Sequence, residues 1–245
     1  SLGMAAAALY GPLVAGCAGP APVRSPGRPV EPGIGFKGIP PGVGDKLVVP
    51  DGYVASVIAA WGEPVGVPGN MPAWRGDGSH SAADQAVQMG MHHDGIHFFP
   101  LQGSSTRGLL AMNHEYTDDG LLHSGGLANW SAEKVRKSQA AHGVAVIEVE
   151  LKDGAWQMVR PSRYARRFTG NTPFAVGGPC AGHAMMKTAA DPAGRLALGT
   201  LNNCASGMTP WGTYLSGEEN WMGYFSGGDT LSPHERRWGL RKGGS

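Results

Sequence analysis

The sequence predicts an all-β chain, and three observations carry that reading. Of its 245 residues, 40 are Gly and 19 are Pro, a composition of turns and connections rather than of long helices. From about residue 46 onward, short apolar runs are separated by Gly, Pro, Asn and Asp, the punctuation of successive strands. Between Val144 and Leu151, Ile147, Val149 and Leu151 alternate with Glu148 and Glu150, which predicts a strand with one buried and one wetted face.

The elements follow in chain order. Gly95 to Leu101 and Gly108 to Met112 make a first hairpin, joined by the polar loop Gln102 to Arg107. Ser131 to Ala141 is the one helical candidate, with Ser131 suited to the N-cap and Glu133 and Lys134 in the first turns; it shows no chemistry of its own. Lys152-Asp153-Gly154 turns the strand ending at Leu151 into Ala155 to Val159, because Asp and Gly tolerate the positive φ of a tight hairpin. A third pair is expected after the turn Asp191-Pro192-Ala193-Gly194, with Arg195 to Leu201 as one strand and Trp211 to Leu215 returning beside it.

Hairpins repeated in this way suit a β-propeller, whose four-stranded blades ring a channel that collects loops; a sandwich satisfies the same pattern. At roughly 40 to 50 residues per blade, about 200 ordered residues build some four blades, so the chain reads as part of a longer propeller. A first residue that is Ser, and a tail from Arg236 to Ser245 that closes no structure, lead to the same expectation. Such a piece should expose raw sheet edges and tend to associate.

With 20 Lys and Arg against 19 Asp and Glu, no global charge draws the chain to nucleic acid or to an anionic membrane. Its three cysteines, Cys17, Cys180 and Cys204, are too few and too scattered for a disulfide scaffold. Residues 1–19 are small, apolar and uncharged, the character of an export-signal remnant, and are too short and too broken by Gly and Pro to span a bilayer. Leu13-Val14-Ala15-Gly16-Cys17 resembles a bacterial lipoprotein box, which would make Cys17 a lipid anchor. Either route places the mature protein in the periplasm, on the cell envelope or outside the cell. Residues 20–45 then form a Pro/Gly-rich linker and residues 46–245 the folded domain.

Ligand-type residues concentrate between Gly199 and Trp221, packed among glycines that let backbone approach a ligand closely. Cys204 offers a thiolate, and Glu218 and Glu219 offer hard carboxylates, a mixed set suited to a transition metal beside a calcium-like ion. Two further runs, His92-His93-Asp94-Gly95 and Asn113-His114-Glu115-Tyr116, mix His with carboxylate at the ends of expected strands. Their spacing fits neither a zinc-protease helix nor an EF-hand loop. Arg160, Arg163, Arg166 and Arg167 offer forked donors for phosphate, although a solvated strand edge explains most charge runs. Cys180 reads as a small structural residue, and His183 beside it stays open between a structural and a functional role.

Asn113-His114-Glu115-Tyr116, Gly178-Pro179 with Gly182-His183, Gly199 to Ala205, Thr209 to Tyr214 and Glu218-Glu219-Asn220 together resemble the PhoX family of bacterial alkaline phosphatases. With Asp94-Gly95 and Gly223-Tyr224-Phe225, the resemblance runs in order over about residues 40 to 230. It implies a six-bladed propeller, truncated in this chain, that is exported by the twin-arginine pathway and hydrolyses small phosphomonoesters with an iron (Fe3+) and calcium cluster. Carried over by motif position, Cys204 is an iron ligand and Glu115, Glu218 and Glu219 are metal-binding carboxylates. The chemistry is coherent: phosphate-monoester hydrolysis is extremely slow uncatalysed, and metal ions both activate an oxygen nucleophile and absorb phosphoryl charge. Two rival expectations are a non-catalytic secreted propeller that binds calcium and a calcium-dependent lactonase or phosphotriesterase-like propeller, neither of which requires Cys204.

Overall fold

The computed structural model describes residues 35–243, so the expected export-signal remnant, the Cys17 lipid site and part of the linker lie outside the described residues. The chain divides into two compact units, Ser1–Ser56 and Val57–Ser245. In the first, the described residues form no helix or strand, and Phe36 meets Tyr53 edge to face with ring centroids 5.3 Å apart. Residues 46–56, expected within the folded domain, belong to this unit, where Leu47, Val48, Tyr53 and Val54 are all exposed.

The regular structure of the second unit is mostly strand, with few helices, as the all-β expectation requires. Strands β1 (His93–Pro100), β2 (Arg107–His114), β3 (Gly143–Lys152) and β4 (Ala155–Met158) form an antiparallel sheet in chain order, and β5 (Arg166–Phe168) also pairs with β3. β3 is long enough for two partners along one edge: residues 149–152 pair with β4, and residues 144–146 pair with β5. The first two expected hairpins therefore form. At the β3–β4 turn, Asp153 and Gly154 take φ of 52° and 80°, the two positive values of a type I′ turn.

One face of this sheet makes the core. Met112, Ala145, Ile147 and Val149 lie on it because their pairing register puts them in step, and Val65, Met89 and Ala165 close over them. Fully burying an aliphatic side chain of this size stabilises the fold by about 1.5–3 kcal/mol. Alternation holds less well at the edges. Leu151, expected to be buried, is exposed because it stands at the turn, outside the buried cluster. Glu148, expected to be wetted, is only 3% exposed. Its carboxylate accepts from Arg107 Nε at 2.8 Å and from Ser162 Oγ at 2.5 Å, so the buried charge is paired rather than hydrated.

The third expected hairpin is re-partnered. Leu196–Leu198 (β7) pairs with Pro173–Ala175 (β6), whereas Tyr214–Glu218 (β9) pairs with Asn203–Met208 (β8). Two local causes split the run from Arg195 to Leu201. Gly199 and Asn202 take φ of 58° and 53°, which no strand continues through. The Asp191 carboxylate also accepts from the Arg195 and Leu196 amides at 2.5 and 2.7 Å, which fixes the entry to β7. A short parallel pair, β10 (Ser226–Gly227) and β11 (Arg241–Lys242), completes the strands.

Among the described residues, four α-helices connect them: α1 (Ala82–Gln85), α2 (Asp119–Leu122), α3 (Ala132–Ala141) and α4 (Pro233–Arg237). α3 is the expected one, and Ser131 Oγ caps it by accepting from the Lys134 amide. It is not chemically plain, because Lys137 is buried with Nζ donating to the Gly78 carbonyl at 2.7 Å. Burial lowers its pKa to about 8.

Arg107→Ala should destabilise the protein, because it leaves the buried Glu148 carboxylate without its ion pair. Burial alone would raise the Glu148 pKa, but Ser162 and Arg107 outweigh it and hold the carboxyl below its ordinary range. The pair's contribution is therefore full above the ordinary carboxylate pKa and fades as pH falls through the depressed one. Urea melts at neutral and acid pH should show the gap between wild type and variant closing in acid.

Candidate metal centre

Two ladders slip where the ligand-type residues lie. In β1, Asp94 pairs with Asn113 but the next pair is His97 with Ala111, so Gly95 and Ile96 stand opposite one residue of β2. In β8, Asn203 pairs with Glu218 and the next pair is Ser206 with Ser216, so Cys204 and Ala205 stand opposite Gly217. A bulge of this kind bends its strand and re-aims a side chain. Here one bulge follows Asp94 and the other holds Cys204.

The side chain between the bulges is Asn113, which is 0% exposed. Its Nδ2 donates to the Cys204 carbonyl at 2.7 Å and lies 3.4 Å from the Ala205 carbonyl. Its Oδ1 accepts from Ser216 Oγ at 2.8 Å and lies 2.9 Å from the Tyr214 hydroxyl, which also reaches the Gly95 carbonyl. Gly95 itself is required by space. At φ 45°, an added Cβ would stand 2.7 Å from the Cys204 carbonyl and 2.8 Å from Asn113 Nδ2.

This closure brings together Asp94, Glu115 and Cys204, whose ligand atoms all lie within 4.8 Å of one another. Glu219 lies beside them, and its carboxylate, like that of Asp94, acts on the Cys204 thiol. Those two carboxylates, Glu219 first, push the thiol pKa up to about 12 by favouring its protonated form. Burial, then the charges of Asp94 and Glu219, push the Glu115 carboxyl up as well. Among the described residues, none of these acids enters an ion pair with Lys or Arg. A thiol among crowded, mutually repelling carboxylates is a donor set whose repulsion a polyvalent cation relieves, and a bound cation would lower the same thiol's pKa.

Of the four expected ligands, the fold gathers Cys204 and Glu115 directly and Glu219 beside them. Glu218 is not in the group. Adjacent residues leave a strand end in different directions, and the Glu218 carboxylate instead accepts from the Leu201 amide at 2.9 Å. Asp94 was not in the expected ligand set, although the run His92-His93-Asp94-Gly95 contains it. The bulge at Gly95 and Ile96, invisible to a simple alternation pattern, is what aims it.

The histidines divide. His92 is exposed, takes φ 48° and stacks on Tyr116 with centroids 3.7 Å apart. His93 and His114 turn the other way and meet edge to face at 4.9 Å. His114 Nε2 accepts from the Gly90 amide at 3.3 Å, and burial holds its pKa well below the usual value. His183 is exposed and caps a turn, its Nδ1 accepting from the Met185 amide. Cys180, read as a structural residue, is exposed. The four arginines are engaged elsewhere. Arg160 pairs with Glu63 at 3.0 Å, Arg163 stacks on Tyr164, and Arg166 donates to the Tyr164 carbonyl. Arg167 turns inward and donates to the carbonyls of Ala140 and His142.

Fold and site together define a class: an all-β chain that brings a thiol and carboxylates together at paired bulges. Residues 34–245 match the family model described as alkaline phosphatase PhoX, and the chain belongs to that family. It is also similar to a solved structure, Pseudomonas fluorescens PhoX in complex with vanadate, a transition state analogue, with 44% sequence identity and a TM-score of 0.80. That likeness covers 84% of this chain and 36% of the relative's, so the chain spans about a third of the relative's length. No curated protein matches it.

Two outcomes test this geometry. In metal-stripped protein at pH 8, Cys204 should react with iodoacetamide at least about tenfold more slowly than exposed Cys180, and Glu219→Gln should speed it, as followed by peptide mass spectrometry. Gly95→Ala should cost about 1–3 kcal/mol by forcing the bulges apart, read as a lowered melting temperature.

Proposed function

We propose that this chain is part of an exported, metal-dependent alkaline phosphatase that hydrolyses small phosphate monoesters. One observation carries the reading: a member of the PhoX family places Asp94, Glu115 and Cys204 in a single uncompensated group. The complex of the Pseudomonas fluorescens relative with vanadate, a transition state analogue, supports the same chemistry. In the reaction, water supplies an oxygen to phosphorus, the ester P–O bond breaks, and the alcohol leaves with a proton.

The chain's own contribution is to hold and tune. Asp94, Glu115 and Cys204 hold the cation, with iron at the thiolate and calcium at carboxylates as the assignment that matches ligand softness. When bound, such ions activate an oxygen nucleophile and offset charge on the phosphoryl oxygens. Glu219 is placed to take the thiol proton as Cys204 becomes a ligand. Glu218, secured at the Leu201 amide, serves as a ligand only by turning away from that bond.

In architecture, the sheet from β1 to β5 corresponds to one blade and the two-stranded sheets to the beginnings of others, in a six-bladed propeller of which residues 46–245 are one part. Residues 1–19 belong to an export signal, residues 20–45 form a linker, and Cys17 serves as a lipid anchor in the envelope. The presence of Cys204 inside the group speaks for the phosphatase against the calcium-only readings, which have no use for a thiolate.

Elemental mass spectrometry and p-nitrophenyl phosphate hydrolysis on the full-length protein test the reading. Wild type should contain iron and calcium and turn over the ester. Cys204→Ala should lose iron, with kcat/KM falling by at least about a hundredfold. Calcium alone with no turnover would sink the proposal and favour the binding propeller.

A further inference from the structure

We infer that Asn113 is the positioning residue of the metal centre: its buried carboxamide holds the bulged backbone of β8 so that Cys204 faces Asp94 and Glu115. The inference rests on the metal-site reading above and adds a residue with no ligand role of its own. Cys204 and Ala205 have no partners in the β8–β9 ladder, so their carbonyls need other donors. Asn113 Nδ2 supplies the donor to Cys204 at 2.7 Å. Its orientation is fixed from the other end, where Oδ1 accepts from Ser216 Oγ at 2.8 Å and Ser216 Oγ in turn lies 2.7 Å from Asn203 Nδ2. Reversing the amide would leave the hydroxyls of Tyr214 and Ser216 able to accept from its N–H groups but would set its oxygen against the Cys204 carbonyl with no proton between them, so only one orientation satisfies that carbonyl.

Asn113 also sits between two of the ligands along the chain. It pairs across the sheet with Asp94 and precedes Glu115 by two residues. One rigid amide thus refers the third donor, from a different hairpin, to the strands that carry the first two. Outer partners of this kind orient the ligands, and their loss costs roughly 10–100-fold in metal affinity.

Cobalt(II) titration of the full-length, metal-stripped protein tests this, because a cysteinate ligand adds a sulfur-to-cobalt charge-transfer band that carboxylates do not give. Asn113→Asp keeps the size and the acceptor for Tyr214 and Ser216 but removes the donor to Cys204. It should weaken cobalt binding roughly 10–100-fold and reduce the band per bound ion, with far-ultraviolet circular dichroism unchanged. Should that variant not fold, Ser216→Ala, which removes one anchor of the amide, should shift the same two readouts in the same direction by about threefold. A lowered melting temperature with band and affinity unchanged in the folded variants would overturn the inference alone. Absence of the band in wild type, or its persistence in Cys204→Ser, would overturn the metal-site reading and the inference with it. Loss of ester turnover with the band intact would leave the inference standing and count against the phosphatase assignment.

Discussion

The carboxamide of Asn113 satisfies the bulged backbone of β8, while the Tyr214 hydroxyl beside it reaches the Gly95 carbonyl in the bulge of β1, and the candidate centre depends on that closure. Bulged residues lose ladder hydrogen bonds, and a buried peptide group without a partner is costly. Asn113 offers both donors and an acceptor in one rigid plane, so it can face the carbonyls of β8 and the hydroxyls of β9 at once. Gly95 makes the approach possible by contributing no side chain where β1 and β8 come closest. From that contact follow the placing of Cys204 beside Asp94 and the opposition of thiol and carboxylates.

The two faces of the main sheet therefore do different work. The face with Met112, Ala145, Ile147 and Val149 is apolar and closed by Val65 and Met89, which stabilises the fold through burial. The other face carries Asn113 and the paired charge of Glu148, groups whose polar atoms must each be satisfied. Apolar packing gives rigidity to the strands, and polar matching gives a fixed geometry to the site they bear.

Electrostatics at the site point in one direction. Raised carboxyl and thiol pKa values without a neighbouring Lys or Arg mark a place where negative charge is held together at a cost. Proteins retain such crowding where a cation offsets it, and the mixed softness of sulfur and oxygen donors narrows which cations suit. The buried Arg167 and Lys137 do not perform this service: Lys137 donates to the Gly78 carbonyl, Arg167 Nη2 donates to the carbonyls of Ala140 and His142, and neither forms an ion pair with an acid of the group.

By itself the sequence determined the strand-rich class, the hairpins β1–β2 and β3–β4, the helix beginning after Ser131, and the two ligand-rich runs that contain Glu115 and Cys204, which the fold brings together. These were legible because alternation, turn dipeptides and capping residues are local, and because a thiol among glycines and carboxylates is chemically unusual. Only the tertiary structure decided that Leu196–Leu198 pairs with Pro173–Ala175, that Glu148 is buried, that Asp94 joins the group and that Glu218 leaves it. Each of these turns on partners distant in the chain. Asn113 lies 91 residues from Cys204, and a one-residue slip in either ladder reverses which side chains face the site. Register is a property of paired strands, and a single strand read alone does not contain it.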